Sequence, residues 1–488
     1  MKTNHIQAFC KKASLAVAFT LLFVTGIRAT DMTTVNIGSK PDGTPVEATA
    51  IDFGKAIFNI VPSPDKDYVL VLFRDKGTQG EEWASKGEMG LFSLKSREMV
   101  WTMPFKYSNY VMFGKKYIYI YGTSSAIACD IQSGEQKWKS WGYTSMIDEI
   151  NMLHLTYVDE EPGSSKVEGY NPETKQTFWK VPIPHNKCWG WNDIIRQDDS
   201  HIIVLANNLN RINLLTGEQQ IIETKSGVIH AGKALGNALL WMGAGMVPVG
   251  GPVLQMGLFI PASVSRNATT ALHSNICQGG ELYYFADSER LICFDGEMNI
   301  RWSTDLPVKS GSHSALVLNN NMLYLFNYGY GLISTGKHKD WGSAFMAVYD
   351  ANTGKVQNNV QWDVEKYGAI ERLQRDTVYT YDANRNVFLH IGIKDNCFPV
   401  VTAKGSICMV DEHLEVKDVI SATPVYHQNA QADNSIIVSR NEPEPEYWMI
   451  GRDGQPEMKL TVSINTLAFV GNMLCIQNND RLLLVSDK

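Results

Sequence analysis

Short apolar runs of five or six residues, each closed by a polar turn, recur along most of the chain. Residues 68–73 read Y-V-L-V-L-F and are followed by runs at 87–94 and 99–102. The order repeats at 116–121, 126–131 and 136–139, then at 153–158, 167–170 and 177–180, and again at 202–206, 211–215 and 219–222. Runs rich in Val, Ile, Tyr and Phe between Gly, Asn and Asp clusters predict strands. No stretch of comparable length carries sustained helical periodicity outside the segment 227–266.

The turns between second and third runs align. The sharpest copy, at 345–355, reads F-M-A-V-Y-D-A-N-T-G-K. Its Asp350 is placed to accept hydrogen bonds from the turn's own backbone, and Gly354 to take the positive φ that such a turn needs. Related turns are S-L-K-S-R-E-M-V-W from Ser93, C-D-I-Q-S-G-E-Q-K-W from Cys129 and Y-N-P-E-T-K-Q-T-F-W from Tyr170. L-L-T-G-E-Q-Q from Leu214 and F-D-G-E-M-N-I-R-W from Phe294 follow, with weaker echoes from Val410 and Ile450. The first three are spaced about forty residues apart, a period of propeller blades. Trp101, Trp138, Trp179 and Trp302 fall in the last run of their sets, where a large aromatic can bury its area against the next repeat.

The pattern predicts an all-β fold: a single β-propeller of seven or eight four-stranded blades, eight preferred, over residues 30–488. Strand sets centre near Leu70, Tyr119, Leu155, Ile203, Tyr284, Leu325, Val401, Ile437 and Leu474, a slight overcount of eight. Residues 377–391 are read as an extra hairpin rather than a blade. Runs at 473–476 and 481–486 end the chain as two strands, and an N-terminal segment, for example 33–37, is expected to supply the outer strand that closes the last sheet.

Composition adds a compartment. The chain has 488 residues, 44% hydrophobic and 19% charged, which is ample for a large core. Residues 1–29 read as a signal peptide: Lys2, Lys11 and Lys12 precede an uncharged stretch from 13 to 26, and Ile27-Arg28-Ala29 offers a small residue at the cleavage point. The stretch is too short to span a bilayer. Cys10 precedes it and no Cys follows near the cleavage point, so a lipid anchor there is not expected. Removing Lys2, Lys11, Lys12 and Arg28 takes the net charge from −7 to −11 (−7 − 4). A dispersed acidic balance argues against nucleic acid and anionic membrane as main partners. Seven scattered cysteines remain (Cys129, Cys188, Cys277, Cys293, Cys397, Cys408 and Cys475) with no C-x-x-C pair. They give no dense disulfide framework, though one bridge is compatible with them.

Segment 227–266 breaks the repeat. From Ala234 to Ser265 it carries no charge, with Gly at 236, 243, 245, 250, 251 and 257 and Pro248 and Pro252 midway. Three uses compete: an insertion packed over a propeller face or into the axial channel, an exposed element that docks a protein or membrane surface through 234–262, and a spanning hairpin. The prolines and glycines leave neither half long enough for a straight span.

Catalytic signatures are absent from the sequence. It contains no H-E-x-x-H, G-x-S-x-G, P-loop, or G-x-G-x-x-G opening a helix. His185 and Cys188 are spaced like two metal ligands, but no second pair completes a site. Tyr328 and Tyr330 (Y-G-Y-G) and Trp189 and Trp191 (W-G-W) are loop aromatics that serve either as binding anchors or as rim packing. Trp241, in the apolar insertion, joins them as a candidate binding residue. Asn267-Ala268-Thr269 fits a glycosylation sequon.

The unit D-x-x-T/S-G-x-x-x-W after an apolar strand resembles the repeat of pyrroloquinoline-quinone (PQQ)-type β-propellers. Asp130, Ser133, Gly134 and Trp138 carry it best; 349–355 matches the front half without the Trp. Thr216 and Gly217 are kept without Asp and Trp, and Thr174 and Trp179 flank Lys175 where Gly is usual. Quinoprotein dehydrogenases of this family bind the quinone with calcium and carry an adjacent-cysteine pair, which is missing here. Another branch resembles the propeller subunit of the outer-membrane β-barrel assembly machinery, a protein-binding scaffold that is normally a lipoprotein. The resemblance implies a PQQ-like propeller without assigned cofactor or metal.

The leading expectation is an exported, non-catalytic scaffold, periplasmic or at the cell surface, that binds a protein partner or envelope component through its face loops. The alternatives are a quinoprotein-like or other enzyme with a site at the axial channel, and a propeller that docks on membranes through 234–262. PQQ and calcium are not supported by a motif.

Overall fold

The computed structural model describes residues 31–486 except 64–66, 78–82, 123–124, 142–143, 158–165, 184–192, 207, 226–252, 256–257, 261–271, 308–310, 333–337, 376–377, 394–395, 422–424 and 442–443. Among these residues almost every element is an antiparallel strand; one four-residue helix, Val364–Tyr367, is capped by Asp363. Residues 1–29, expected to be a leader, and most of 227–266 therefore lie outside the described residues, as do His185, Cys188, Trp189, Trp191, Trp241 and Asn267.

The strands form four-stranded meanders, called units here. Units 1 to 5 occupy 57–106, 110–141, 144–182, 193–222 and 277–305. Units 6, 7 and 8 occupy 314–361, 370–421 and 426–460. Unit 9 combines the last three strands, 466–486, with Pro45–Asp52. Hydrophobic clusters join unit 1 to 2, 2 to 3, 3 to 4, 4 to 5, 5 to 6 and 6 to 7. Others join 8 to 9 and 9 back to 1. The ring is therefore closed, and the first strands of neighbouring units approach one another, as Tyr426–Gln431 and Thr466–Val470 do. This is a β-propeller, and each sheet buries both faces against its neighbours.

Nine units are present among the described residues, one more than the preferred eight of the expected seven or eight. Each of the nine strand sets read from the sequence has its own sheet. Residues 378–391 do form a separate hairpin, inserted between the first two strands of unit 7. Val378 and Ile391 pack on Val401 and Ile407 of unit 7, while Tyr379 and Phe388 pack on Tyr426, Ile436 and Val438 of unit 8. The hairpin is thus a wedge in the ring, additional to the nine units rather than a substitute for one.

The N-terminal segment closes the ring, in a different register from the one expected. Pro45–Asp52 pairs with Arg481–Ser486 as the outer strand of unit 9, with Thr49 opposite Leu484. Residues 33–37 lie one strand further out, in Asp31–Ser39, whose end pairs Gly38 with Leu460 and Ser39 with Lys459 of unit 8. That strand laces two units into one eleven-stranded sheet that also takes in the 378–391 hairpin.

The turns behave as their chemistry predicts. Asp350 Oδ1 accepts from Asn352 N (3.1 Å), Thr353 N (2.8 Å) and Thr353 Oγ1 (2.8 Å), and Gly354 sits at φ 71°. Asp130 does the same with Gln132 and Ser133. The Thr353 hydroxyl and amide hold the Asp350 carboxyl below its ordinary range, and the Ser133 amide does so for Asp130.

The tryptophans sit in fourth strands, because each unit begins with a short inner strand that the apolar runs did not reveal. Trp101 Nε1 donates to Ile131 O (2.9 Å) of the next unit, Trp179 to Leu214 O (2.7 Å) and Trp302 to Ala351 O (3.1 Å). The glycine of the receiving turn faces that indole. A Cβ would lie 2.8 Å from Trp101 at Gly134, 2.6 Å from Trp179 at Gly217 and 2.4 Å from Trp302 at Gly354. The Trp and the Gly that act together thus belong to successive repeats.

Candidate interaction rim

In a four-stranded meander the first-to-second and third-to-fourth connections share one rim. The second-to-third connections and the links between units share the other. On the first rim the connections are short turns, apart from the one that carries the 378–391 hairpin. The second rim carries the long ones: 158–165 in unit 3, the link 183–192, the link 223–276 and 328–344 in unit 6. The described candidates Tyr328 and Tyr330 fall on this loop rim, where a rigid scaffold presents variable segments.

Tyr328 and Tyr330 are described, and each is only 7% exposed. Tyr328 Oη accepts from Leu373 N (3.0 Å), and Tyr330 donates its hydroxyl proton to Glu371 O. Both rings also meet His313, at 5.4 and 6.0 Å. Their aromatic area joins unit 6 to the first strand of unit 7, so of the two uses open to them the structure places both in packing. Trp189, Trp191 and Trp241 lie outside the described residues.

Two short pieces of the apolar insertion are described. Val253–Gln255 pairs with Leu258–Ile260, and the latter adds to the first strand of unit 3, with Leu258 opposite Asp148 and Phe259 opposite Ile147. A first strand faces the axis, so this hairpin extends unit 3 inward along the axial channel.

Further polar groups gather near the axis. The Asn275 side chain accepts from Leu316 N (3.0 Å) and donates to Leu316 O (3.1 Å), covering the inner edge of unit 6. Arg375, from unit 7, donates to the Asn275 side-chain oxygen and to Leu316 O. Asp193 of unit 4 accepts from Ile276 N (3.3 Å); burial pushes its carboxyl above the ordinary range, against the pull of Arg375. At the opposite rim Asp148 (0% exposed) pairs with Arg196 (3%), which also donates to Asp198 O and Asp199 O. This buried pair links units 3 and 4, although Arg196 Nε finds no acceptor among the described residues.

None of these groups forms a reacting set. Ser140 Oγ lies 3.0 Å from His154 Nδ1, but the imidazole is wholly buried between units 2 and 3, and burial depresses it to about 3. His273 is pushed down to about 4, again by burial. Among the described residues no group of three or more His, Cys, Asp or Glu could hold a metal ion, and no helix is long and apolar enough to cross a membrane.

One cluster on the loop rim was not visible in the sequence. In unit 1 the Arg74 guanidinium lies 4.7 Å from the Phe58 ring and 4.4 Å from the Tyr107 ring, and its Nε donates to Ala84 O (2.5 Å). Phe58 meets Tyr107 edge-on at 4.8 Å and Trp83 at 6.3 Å, and is 39% exposed. These residues come from all the connections at this rim of one unit, so no local motif could have announced them.

No family model matches the chain, and no curated protein matches it in sequence. Among solved structures it is similar to BamB from Moraxella catarrhalis, at 9% identity over 83% of this chain and 96% of that one, TM-score 0.38. It is similar to the computationally designed Ika8 protein at 10% identity over 78% and 97%, TM-score 0.35. A eukaryotic initiation factor matches at 9% identity over 88% and 97%, TM-score 0.43. At these values the propeller assignment rests on the strand order and ring closure of the chain itself.

Proposed function

We propose that this protein is an exported propeller scaffold, PQQ-like in its repeat but working without the quinone or calcium, that holds a protein partner on its loop rim. The observation that carries the reading is the contrast between the rims: short turns on one, long segments and an aromatic cluster with Phe58 exposed and Trp83 and Tyr107 half-buried on the other. The leader-like 1–29 supports export to the periplasm or cell surface. The pairing of 258–260 with unit 3 supports a place for the apolar insertion inside the ring, rather than on a membrane.

Site-specific photo-crosslinking in the native envelope tests the scaffold. Crosslinkers at Phe58 and Trp83 should give a discrete adduct, whereas those at Glu135 and Glu218 in the turn rim should not. Equal labelling of both rims, or of neither, refutes the assignment. A melting-temperature titration with PQQ, with and without calcium, tests the enzyme alternative, because a ligand bound to the folded state raises the melting temperature by mass action. A calcium-dependent rise would replace the scaffold reading with a quinoprotein one.

A further inference from the structure

Most junctions of the ring are pinned by a side-chain donor that does not titrate, reaching a backbone carbonyl of the neighbouring unit. The indoles of Trp101, Trp179 and Trp302 do so between units 1 and 2, 3 and 4, and 5 and 6. Gln197 Nε2 of unit 4 donates to Gly296 O of unit 5 (2.9 Å), Asn358 Nδ2 of unit 6 to His413 O of unit 7 (2.9 Å) and Gln477 Nε2 of unit 9 to Ile57 O of unit 1 (2.6 Å). Units 8 and 9 are laced by the backbone of Gly38 and Ser39. At the junction of units 2 and 3 the Trp138 indole finds no acceptor among the described residues, and groups that titrate carry the contact. Ser140 Oγ of unit 2 lies 3.0 Å from His154 Nδ1 of unit 3. Lys115 N donates to Glu149 Oε2 (3.0 Å), and Lys116 Nζ (3.2 Å) and Tyr117 Oη (2.6 Å) both donate to Glu173 Oε1.

Two of these contacts weaken in the same direction. His154 is buried, with Nε2 unpartnered among the described residues and its ring 4.6 Å from that of Trp138. The titratable groups of the surrounding elements are Tyr117 and Tyr119 in unit 2, and Glu149, Tyr170 and Glu168 in unit 3, the last paired with Lys180 at 3.3 Å. Burial alone sets the state of the imidazole, so no neighbouring charge receives its cation. His273, also buried, has Asp287 to favour its charge. His154 therefore stabilises the fold fully above its ordinary 6.5 and less as pH falls. The Tyr117 hydroxyl holds the Glu173 carboxyl below its ordinary range, so that bond too is present above the ordinary carboxylate range and lost as pH falls. The apolar cluster around Tyr119, Ala126 and Ile147 keeps the junction closed near neutrality. We propose that this junction is an acid-labile clasp: as pH falls, units 2 and 3 part across Trp138 and His154 while the other junctions stay closed, and the ring opens at one place.

Thiol labelling of the mature full-length protein tests this. Cys293, Cys408 and Cys475 are buried in the clusters between units 5 and 6, 6 and 7, and 9 and 1, and serve as native controls. Ala126, wholly buried between units 2 and 3, supplies the probe as Ala126→Cys. The reagent is a dipyridyl disulfide, which reacts with thiols in acid, and labelled positions are read by peptide mass spectrometry. Relative to an unfolded thiol, labelling at position 126 should rise roughly tenfold per pH unit between about pH 6 and about pH 4, the slope of one proton taken up on opening. The native controls should lag behind it. His154→Gln in the same background should flatten the rise. If that variant does not fold, the order of labelling in Ala126→Cys alone still decides. Acceleration of all buried thiols together, which is global unfolding, would overturn the proposal. So would protection of position 126 down to the pH at which the controls react, or a rise that survives His154→Gln. The clasp stands or falls independently of what the loop rim binds.

Discussion

The junction of units 1 and 2 and the junction of units 2 and 3 start from the same motif and end differently. In the first, Trp101 of one unit lies on Gly134 of the next and donates to Ile131 O. In the second, Trp138 occupies the equivalent strand position, but the receiving turn has Lys175, held at φ 61°. A Cβ at that place is what the glycine of the other junctions excludes. Trp138 instead packs among Tyr117, Tyr119 and His154, with its indole 4.6 Å from the imidazole. Its Nε1 finds no acceptor among the described residues. The repeat motif is therefore a contract between neighbours, and changing one residue in unit 3 alters the fate of a side chain in unit 2.

The sharpest way to break a docked junction is Trp179→Ala, which removes a buried indole and its bond to Leu214 O. The loss should be about 3–5 kcal/mol in denaturant unfolding, with an unchanged slope if the ring stays cooperative. Trp138→Ala should cost less, because no hydrogen bond is lost with it. Equal losses would mean that docking contributes nothing beyond burial.

Next comes Gly217→Ala, at φ 76° with Trp179 only 2.6 Å from the new Cβ. A destabilisation of about 2–4 kcal/mol is expected from left-handed strain and displacement of the indole. Gly405→Ala, also at positive φ (69°) but with nothing within 4 Å, should cost only the strain, about 1 kcal/mol. Similar values at both sites would contradict the inter-unit contact.

The undocked junction carries its own signature in acid. His154 is neutral in the fold and depressed by burial to about 3, against an ordinary 6.5. Between those values the unfolded chain binds the extra proton, so stability is full above 6.5 and falls as pH drops toward 3. His154→Gln should flatten that limb of the stability curve, provided the variant keeps its near-neutral melting temperature. His273 shifts the same way, so the limb should shallow without disappearing. An unchanged acid limb would show that the imidazole is solvated.

The smallest effect should come from Lys175→Gly, which relieves a left-handed lysine and opens the seat Trp138 lacks. A gain of up to about 1 kcal/mol is expected, with a change in tryptophan fluorescence as the indole moves. A loss of stability would show that the Tyr117, Tyr119 and His154 packing is the better arrangement for Trp138.

Much of the ring was legible because the strand signal is local. The apolar second and third strands, the Asx turns at Asp130 and Asp350, the glycine at 354 and the separate hairpin at 378–391 all follow from neighbouring residues. The inner strands were missed because they are short and only partly buried, as in Ile57–Pro62 and Asp193–Arg196. The blade count slipped for a related reason: nine strand sets were visible, but sequence has no measure of how many sheets close a ring. Among the candidate aromatics, Tyr328 and Tyr330 looked alike on either use, since packing and binding both favour large amphipathic rings on loops.

The sequence by itself determined the repeat, the strand class, the turn chemistry and the acidic balance, since each depends on residues a few positions apart. The tertiary structure decided three things. It set nine units among the described residues, because closure depends on how sheets pack. It paired Pro45–Asp52 with the C-terminal strand, because that contact spans more than four hundred residues. And it drew Phe58, Arg74, Trp83 and Tyr107 together on one rim, because separate connections of one sheet converge there and a linear chain carries no record of that convergence.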